Sequence, residues 1–592
     1  MNSFDAFPRR GVRGLMLAGL LASLGALLSG CKLTNGGQTN VPPGPGCVSP
    51  SECSVGEALN PPDQLLGERL FKDPRFGQYF VTHSGGAING VNVGEPTVAN
   101  VPTTNPAISL PGPMAGQSMN CLQCHLVQQE MDVPGGGMRA YTNFAGRAPH
   151  PLRPEDASTQ GAFTARKPAP MVDDFNTGDA GQCLHWDCEF GDMDTLVYDT
   201  LTGRDFGWLP TEQGQAVQQI ARVIRLDNGT DTLAQQFSGS LPYATLFDCS
   251  DPQIPAAYRL PQQYCLNVAT ASGEQIAQDV ANLIASYVNS LAFSRDSNNK
   301  FNGSPFDQFL ILNNLPRAPA AAQTPQQYAA ALLLALSGLH NPQFVNDGVL
   351  KFQHDQPFVF GTQELHGLMI FLNRPAGATL TSAEITAGGI GNCAACHTPP
   401  DFTDHLMHNT GVSQFEYDSV HGAGAFMQLS IPTLAERNAD PDAYLPTNPD
   451  DESVFRSAAT LANPQKTDLG VWNIFANPYF PSRQASLREF LCSIKSGQYA
   501  DCAASDDELL NLAVAVFKTR TLRDLGQSDP YMHNGEFDTL TDVLKFYQQA
   551  SALARAGQLR NADPRMQNIA LNDADLADMA AFLASLNEDY SN

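Results

Sequence analysis

The sequence has little positive charge. Of its 592 residues, 34 are Lys or Arg and 60 are Asp or Glu, so the formal net charge is −26. A protein that binds nucleic acid needs clustered cations to neutralise phosphates, and one that adheres to an anionic bilayer through its own surface needs them too. The composition therefore argues against a nucleic-acid partner and against adhesion to a membrane through the folded surface.

Long apolar runs are also scarce. The N-terminal run Leu15–Leu28 is shorter than the ~20 residues that a membrane span needs. Arginines precede it, and it ends in the sequence LSGC at 28–31, which resembles the bacterial lipobox. We expect residues 1–30 to be a lipoprotein signal peptide and residues 31–60 to be a flexible tether. An ordinary signal peptide that contains a cysteine is the alternative.

Cleavage before Cys31 would leave a lipidated cysteine that anchors the chain to a bacterial membrane. The chain would then lie in the periplasm or at the cell surface. Lys32, directly after that cysteine, favours the outer membrane. These expectations make the folded part an exported protein, in which disulfides can persist.

Two segments fit the pattern C-x-x-C-H, namely Cys121-Leu122-Gln123-Cys124-His125 and Cys393-Ala394-Ala395-Cys396-His397. In this pattern both thiols bond to the vinyl groups of a c-type haem, and the histidine becomes the proximal iron ligand. We therefore predict two covalently bound haems c, with Cys121, Cys124, Cys393 and Cys396 as attachment residues and His125 and His397 as iron ligands. A zinc site is the alternative, and it would need further ligands at matching spacing.

Eight further cysteines follow the lipidated one and lie outside the two motifs. An even remainder in an exported chain indicates disulfides, although sequence alone does not give their connectivity. Pairing between sequence neighbours is the simplest hypothesis. It gives four short loops: Cys47–Cys53, Cys183–Cys188, Cys249–Cys265 and Cys492–Cys502.

Helical periodicity recurs along the chain, whereas strand patterns are rare, so we predict a mainly α protein. The polar segment Ser294–Ser304 suggests a boundary between two cytochrome c-like haem domains, 61–295 and 296–592. Each contains one motif and long loops, among them Thr398–Pro481, and a buried haem would organise such loops. The expected helices are Gln64–Phe71, Asp192–Thr202, Glu212–Arg225, Gly273–Ser290, Gln363–Leu372, Ala485–Ile494, Asp506–Phe517, Leu540–Ala554 and Asp573–Leu586.

Several segments, in order, resemble those of the bacterial di-haem cytochrome c peroxidases and MauG. The resemblance extends from about residue 65 to about residue 587, with insertions at 76–117 and 405–480. The matching segments are Leu66–Arg75, Ser118–Cys121, His185-Trp186-Asp187, Ser304–Asp307, Asn392–His397, Pro400–Asp404, His408–Gly411, Phe517–Arg523 and Pro530–Gly535.

The resemblance implies roles for the two haems and for two side chains. The haem on His125 would be the peroxidatic one, and the haem on His397 would handle electrons. Trp186 would conduct electrons between them, and its alternative role is that of a core aromatic residue. Glu212 would be the acid–base group that helps to cleave the O–O bond, and its alternative is a helix-start glutamate. The family's distal histidine has no counterpart just upstream of Arg166, where His150 is the nearest.

The resemblance also bears on further ligands. Tyr547 matches the position of the second haem's sixth ligand, where the peroxidases carry methionine and MauG carries tyrosine. Met532 and a core tyrosine are the alternatives. The family holds calcium with an asparagine and two carbonyls. Ser528 and Pro530 match the carbonyl positions, but Lys167 replaces the asparagine, so calcium stays an open alternative.

The most favoured interpretation is a di-haem c-type oxidoreductase that reduces or uses hydrogen peroxide at the first haem, with electrons passed through the second. A small redox protein, attracted to the acidic surface, or an oxidisable substrate would supply those electrons. One alternative is a MauG-like or oxygenase-type enzyme that oxidises a protein or an organic substrate with peroxide or oxygen. The other is an electron carrier without catalysis.

Overall fold

The structure is a computed structural model of the chain. It describes residues 60–84, 86–89, 120, 121, 125, 166, 167, 169, 171–173, 183–346, 358–440, 444, 454–456, 459, 464–480, 484–496, 500–525, 528 and 531–588. The predicted signal peptide, the tether up to residue 59 and the Cys47–Cys53 pair lie outside these residues, as do Cys124, His150 and Pro530.

The described residues are mainly α-helical, as predicted. In the N-terminal half the helices are Pro62–Phe71, Gln78–His83, Met193–Thr202, Gln213–Leu226, Thr232–Ser238, Tyr243–Phe247 and Gly273–Ser290. In the C-terminal half they are Pro305–Leu312, Pro325–Ser337, Thr362–Leu372, Ser382–Ala387, Val412–His421, Ala425–Gln428, Leu434–Ala439, Gln484–Ser496, Asp506–Leu512, Leu540–Arg555 and Asp573–Ala584.

The helix Gly273–Ser290 shows why the periodic segments fold as predicted. Ser272 accepts a hydrogen bond from the backbone N–H of Gln275, and the Gln275 side chain accepts one from the backbone of Ser272, which closes a capping box. Ile276, Val280 and their neighbours on one face are fully buried. The cap defines the start, and the apolar face supplies the burial that stabilises the helix.

Two helix crossings organise the two halves. Pro62–Phe71 packs on Gly273–Ser290, and Thr362–Leu372 packs on Asp573–Ala584. A glycine lies at each crossing, because a Cβ at Gly67 would overlap the carbonyl oxygen of Leu283 and a Cβ at Gly367 would overlap that of Asp578. Close backbone approach therefore requires glycine at both positions.

The buried apolar side chains form three main clusters. One lies within residues 66–288 and a second within 306–586. The third joins the Cys183–Cys188 region to residues 407–516. All described residues belong to one compact unit, Pro43–Asn592. The division into haem domains at residue 295 stays a prediction.

Two expectations about the C-terminal half are wrong in part. Segment 398–481 is not only loop, because it contains the helices Val412–His421, Ala425–Gln428 and Leu434–Ala439. The helix predicted for Asp506–Phe517 ends at Leu512. Beyond it the chain forms a short strand, Phe517–Lys518, which pairs antiparallel with Met407–His408. This is the only two-stranded sheet among the described residues.

Three of the predicted disulfides are confirmed: Cys183–Cys188, Cys249–Cys265 and Cys492–Cys502 are bonded. Each closes a short loop, as the spacing indicated. Within the part of the chain that the structure describes, no helix has the length and apolar character needed to cross a bilayer.

A buried ion-pair network ties the first helix to the helix Gln213–Leu226 and the turn after it. Asp227 accepts hydrogen bonds from Arg69 at 2.8 Å and from Arg75 at 2.9 Å. Arg75 also pairs with Asp73, whose Oδ2 accepts a 2.8 Å hydrogen bond from the Tyr243 hydroxyl. The side chains of Arg69 and Asp227 are 0% exposed, so each charge depends on its partners for compensation.

Candidate haem-binding sites

Within the first C-x-x-C-H motif the structure describes Cys121 and His125. The backbone N–H of His125 donates to the carbonyl of Cys121 at 2.7 Å. The imidazole is then oriented from the other side, because its Nδ1 donates to the carbonyl of Ala169 at 3.0 Å. That bond makes Nε2 the nitrogen suited to bind iron.

The electrostatics of this motif favour a neutral imidazole, the form that ligates metals. Burial lowers the pKa of His125 to about 4, although the nearby carboxylate of Asp205 acts in the opposite direction. Burial also raises the pKa of the Cys121 thiol to about 12. Asp205 lies close enough to act on both residues. Sequence reasoning missed it, since nothing in the Asp205 segment resembles a site motif.

The second motif repeats this arrangement. Cys393 begins a 3-10 turn, Cys393–Ala395, and its carbonyl accepts from the backbone N–H of His397 at 2.8 Å. Nδ1 of His397 donates to the carbonyl of Phe402 at 3.1 Å. Burial lowers the pKa of His397, again favouring the neutral form. Both histidines therefore fit the role of proximal haem ligand, with a backbone carbonyl fixing each ring.

His408 lies beside the second C-x-x-C-H motif. Its Nδ1 is 2.7 Å from a carboxylate oxygen of Asp563, and its Nε2 is 2.9 Å from one of Asp404. The donor atoms of Cys396, Asp404 and His408 lie within 4.8 Å of one another, a grouping that could hold a metal ion. Since Cys396 is predicted to bond to haem, we interpret this grouping as the wall of the haem site.

We expect the His408 pairs to make stability depend on pH. Burial opposes the charged form, but hydrogen bonds to Asp404 and Asp563 outweigh it and raise the pKa of His408 well above its ordinary value. The stabilisation is therefore fully present below the unfolded-state pKa of about 6.5 and is lost as the pH rises through the folded-state pKa. His408→Gln should lower the free energy of unfolding at pH 6 by about 1.5–3 kcal/mol.

The matched control is His366→Gln, because His366 also pairs with an aspartate, Asp578, but is 60% exposed. Urea titrations of the wild type and both variants from pH 5 to pH 10 check the expectation. A His408→Gln deficit that stays constant over the whole range would contradict it.

Tyr547, the predicted sixth ligand, lies on the helix Leu540–Arg555 next to the second motif. Burial raises the pKa of its hydroxyl, and the nearby Cys393 and Cys396 thiols add to the effect. The same hydroxyl takes part in a hydrogen bond with Thr410. Met532, the alternative ligand, packs at the edge of the second apolar cluster. The structure thus places Tyr547 beside Cys393 and Cys396. Its bond to iron stays a prediction.

Trp186 contacts segments from both halves of the chain. Its indole N–H donates to the carbonyl of Lys167 at 2.6 Å. Its own carbonyl accepts from the backbone N–H of Lys518 at 2.8 Å. The guanidinium carbon of Arg520 lies 4.8 Å from the centre of its ring, and the His533 ring meets it edge-on at 6.3 Å. A half-buried tryptophan between these segments suits the predicted conduit, a role that stays a prediction.

The acidic residues on either side of Cys188, which is bonded to Cys183, form ion pairs with arginines. Asp187 pairs with Arg166 at 2.7 Å, and Arg166 also pairs with Asp468 at 2.6 Å. Glu189 accepts from Arg456 at 2.8 Å. The pairs join residues near Trp186 to the inserted segment, so they hold the tryptophan loop against the third apolar cluster.

Glu212, the predicted acid–base residue, lies at the end of the 3-10 turn Pro210–Glu212, immediately before the helix Gln213–Leu226. Its Oε2 accepts a hydrogen bond from the backbone N–H of Leu209 at 3.0 Å. This contact is the one expected of a glutamate at the start of a helix. It does not test the catalytic role, which stays a prediction.

The position expected for calcium contains an ammonium group. The buried Lys167 donates through Nζ to the carbonyl of Ser528, one of the two carbonyls that the resemblance assigns to calcium. The same Nζ lies 5.7 Å from the centre of the Tyr531 ring. A divalent cation needs oxygen ligands and would be repelled by an adjacent ammonium. The described residues therefore do not fit calcium.

We expect chelation to leave the stability of the wild type unchanged. Lys167→Asn would remove the ammonium and add an oxygen donor, so calcium should stabilise this variant by about 2.7 kcal/mol at a concentration 100 times its Kd. Thermal unfolding with EGTA and with calcium measures both effects, and the exposed Lys300→Asn serves as control. A fall in the unfolding temperature of the wild type on chelation would show that calcium is bound after all.

No family model matches the chain. Among curated proteins, the cytochrome-c peroxidase IdrP2 of Pseudomonas sp. (strain SCT) is 27% identical over 201 residues, which are 34% of this chain and 37% of that protein. IdrP2 of Denitromonas iodatirespirans is 26% identical over 198 residues, 33% of this chain and 36% of that protein. The match therefore spans little more than a third of these curated relatives.

Solved structures with detectable similarity include a MauG-like protein associated with microbial copper homeostasis. It is 14% identical, with 93% of this chain and 94% of that chain covered and a TM-score of 0.37. The diheme peroxidase BthA from Burkholderia thailandensis E264 is 16% identical, with 93% of both chains covered and a TM-score of 0.38. These TM-scores are too low to support a conclusion about this chain.

Proposed function

We propose that the chain is a di-haem c-type oxidoreductase, since its motifs resemble those of the bacterial di-haem cytochrome c peroxidases and MauG and its curated matches are cytochrome-c peroxidases. It reduces or uses hydrogen peroxide at the haem on His125, and electrons pass through the haem on His397. The observation that carries this proposal is the equal anchoring of the two imidazoles, each held at Nδ1 by a backbone carbonyl.

In this proposal each haem, covalently attached in its own cytochrome c-like domain, supplies an iron that exchanges single electrons. The chain's own residues do the rest. Ala169 and Phe402 keep the two histidines oriented so that both rings present Nε2, and burial keeps the imidazoles neutral. Trp186 is the bridge between the two sites. It is held by the Lys167 carbonyl, which fixes the plane of the indole.

Proton transfer is the second task of the protein. Breaking the O–O bond of peroxide requires a base that takes a proton from the near oxygen and returns it to the leaving one. Glu212 is proposed for this role, on the strength of its position in the resemblance. The hydrogen bond from the backbone N–H of Leu209 fixes the position of its Oε2.

The test begins with a haem count on the purified full chain. A pyridine haemochrome measurement after acid–acetone extraction should find two covalent haems per chain. A ferric spectrum should then show a high-spin component that responds to peroxide. Two low-spin, six-coordinate haems that ignore peroxide would instead establish the electron carrier, and fewer than two covalent haems would contradict the proposal.

Tyr547 favours a second candidate function. It lies beside Cys393 and Cys396, and a tyrosine ligand to an iron held there would stabilise oxidised iron more strongly than methionine does. The enzyme would then be MauG-like and oxidise a protein or an organic substrate. Steady-state assays with reduced cytochrome or an artificial donor separate the two, since a MauG-like enzyme should turn over these donors poorly. Tyr547→Met should increase that turnover, and Tyr547→Phe is the control for loss of the hydroxyl alone.

Lipid anchoring through Cys31 completes the proposal. The modified cysteine and the tether would hold the folded part at a bacterial membrane, with the outer membrane favoured. Detergent phase partitioning of the full chain and of Cys31→Ser tests this point. The wild type should enter the detergent phase and the variant should not.

A further inference from the structure

The Cys183–Cys188 disulfide encloses Trp186. The tryptophan lies in a turn between Leu184 and Phe190, whose backbones pair, since the N–H of Leu184 donates to the carbonyl of Phe190 at 3.0 Å. The disulfide joins the residue before this turn to its last residue. Trp186 therefore lies in the middle of a short loop that a covalent bond closes.

The turn has little sequence preference for its own shape. Tight turns favour glycine, proline, asparagine, aspartate and serine, and the segment His185–Cys188 contains only one of these residues, Asp187. His185 and Cys188 both have a φ of 63°, in the left-handed region that disfavours residues with a Cβ. Such a backbone persists only where the surrounding structure imposes it. The disulfide is a covalent constraint of this kind.

Two distant segments bind Trp186 once the turn has this shape. The indole N–H donates to the carbonyl of Lys167 at 2.6 Å. The backbone carbonyl of Trp186 accepts from the N–H of Lys518 at 2.8 Å. The turn has to present the indole and the backbone carbonyl to both partners at the same time. A turn that opens would therefore lose both bonds and move the indole.

The disulfide is packed in the interior of the protein. Cys183 is 7% exposed and Cys188 is 2% exposed, and both belong to the third apolar cluster. The Sγ atom of Cys188 lies 3.3 Å from the Sδ atom of Met407, which belongs to the strand Met407–His408. The bond is thus an internal link that fixes the loop against the inserted segment.

We propose that Cys183 and Cys188 are positioning residues, whose bond holds the Trp186 indole in the place and orientation that electron transfer between the haems requires. The inference rests on the proposed function, since it needs Trp186 as the bridge between the haems on His125 and His397. In the step concerned, one electron leaves the haem on His397 and reaches the haem on His125. Peroxide has oxidised that haem and is itself reduced to water with the uptake of protons.

The first measurement is hydrogen–deuterium exchange on the purified holoprotein. The double variant Cys183→Ala, Cys188→Ala should lose protection at the amides of Leu184 and Lys518, because an open turn loses the bonds that both amides make. The matched control is Cys492→Ala, Cys502→Ala, which removes another disulfide of the same apolar cluster. It should leave the exchange of both amides unchanged.

The second measurement is the rate of electron transfer between the haems. Holoprotein reduced at the haem on His397 is mixed with peroxide, and stopped-flow absorbance follows the oxidation of that haem. The phase that does not depend on peroxide concentration should slow by up to about 10²-fold in the Cys183, Cys188 variant, since a displacement of ~1 Å can cost that much. In a Trp186→Phe background the same double variant should cause no further slowing, because the disulfide acts through Trp186.

Transfer at the wild-type rate in the Cys183, Cys188 variant, unchanged exchange at Leu184 and Lys518, or further slowing of Trp186→Phe would overturn the inference. If the alanine pair does not fold, Cys183→Ser with Cys188→Ser serves for both measurements. Two other outcomes concern the proposed function. Fewer than two covalent haems per chain contradict it directly, and wild-type transfer in Trp186→Phe removes the bridge and the inference with it.

Discussion

Glu212→Gln is expected to lower peroxide turnover by about 10²–10⁴-fold, the usual contribution of a general acid–base group. The amide oxygen of glutamine can still accept the hydrogen bond from the N–H of Leu209, so the start of the helix Gln213–Leu226 should stay intact. The substitution thus removes proton transfer without removing the helix-start contact. Steady-state peroxide consumption and thermal unfolding, measured on the same preparation, give the two effects separately.

Asp205→Asn is the decisive comparison, because the Asp205 carboxylate is close enough to His125 to act on its pKa. If Glu212 is the acid–base group, Asp205→Asn should keep most of the turnover. Wild-type turnover in Glu212→Gln, together with a large loss in Asp205→Asn, would transfer the role to Asp205. A loss of folding stability without a loss of turnover in Glu212→Gln would leave Glu212 as a helix-start residue.

Asp227→Asn is expected to destabilise the fold by about 3–5 kcal/mol, since it leaves two buried arginines with only Asp231, at 3.5 Å from each, as a shared counter-charge. Arg69 and Arg75 both donate to the Asp227 carboxylate, and the backbone N–H of Tyr243 donates to it at 3.0 Å. Asn can accept only part of these bonds and carries no charge. Urea unfolding, followed by far-ultraviolet circular dichroism, measures the loss.

The half-buried Asp279 on the helix Gly273–Ser290 supplies the control, and Asp279→Asn should cost much less. The pH dependence gives a second check. Burial opposes ionisation of Asp227, but the charges of Arg75 and Arg69 outweigh it and lower its pKa. Its contribution is therefore present above the unfolded-state pKa and is lost as the pH falls through the folded-state pKa. An Asp227→Asn deficit that persists unchanged in acid would be inconsistent with an electrostatic origin.

Long amphipathic helices could be predicted from sequence because their information is local. Gly273–Ser290 was predicted with its observed bounds, since a capping box and an apolar face of period 3.6 are both visible in the sequence. The same holds for the three confirmed disulfides, whose partners are close neighbours along the chain.

The short helices of segment 398–481 could not be predicted in this way. On the helix Val412–His421, for example, Ser413 donates to the carbonyl of Asp468 and Gln414 donates to that of Gln558. The end of the helix at Leu512 likewise depends on distant partners, because Ala515 donates to the carbonyl of Leu469. Elements of one or two turns have little intrinsic stability and take their form from tertiary contacts.

The sequence determined the two C-x-x-C-H motifs with their histidines, because such a motif consists of residues at fixed, adjacent positions. It also determined the mainly helical class, because helical periodicity is local. Tertiary structure alone decided which charges surround those histidines. Asp205 near His125, Asp563 at His408 and Arg520 at Trp186 come from segments far apart in the chain. Electrostatic interaction depends on distance in space and on burial, and neither is written in the spacing of residues along the chain.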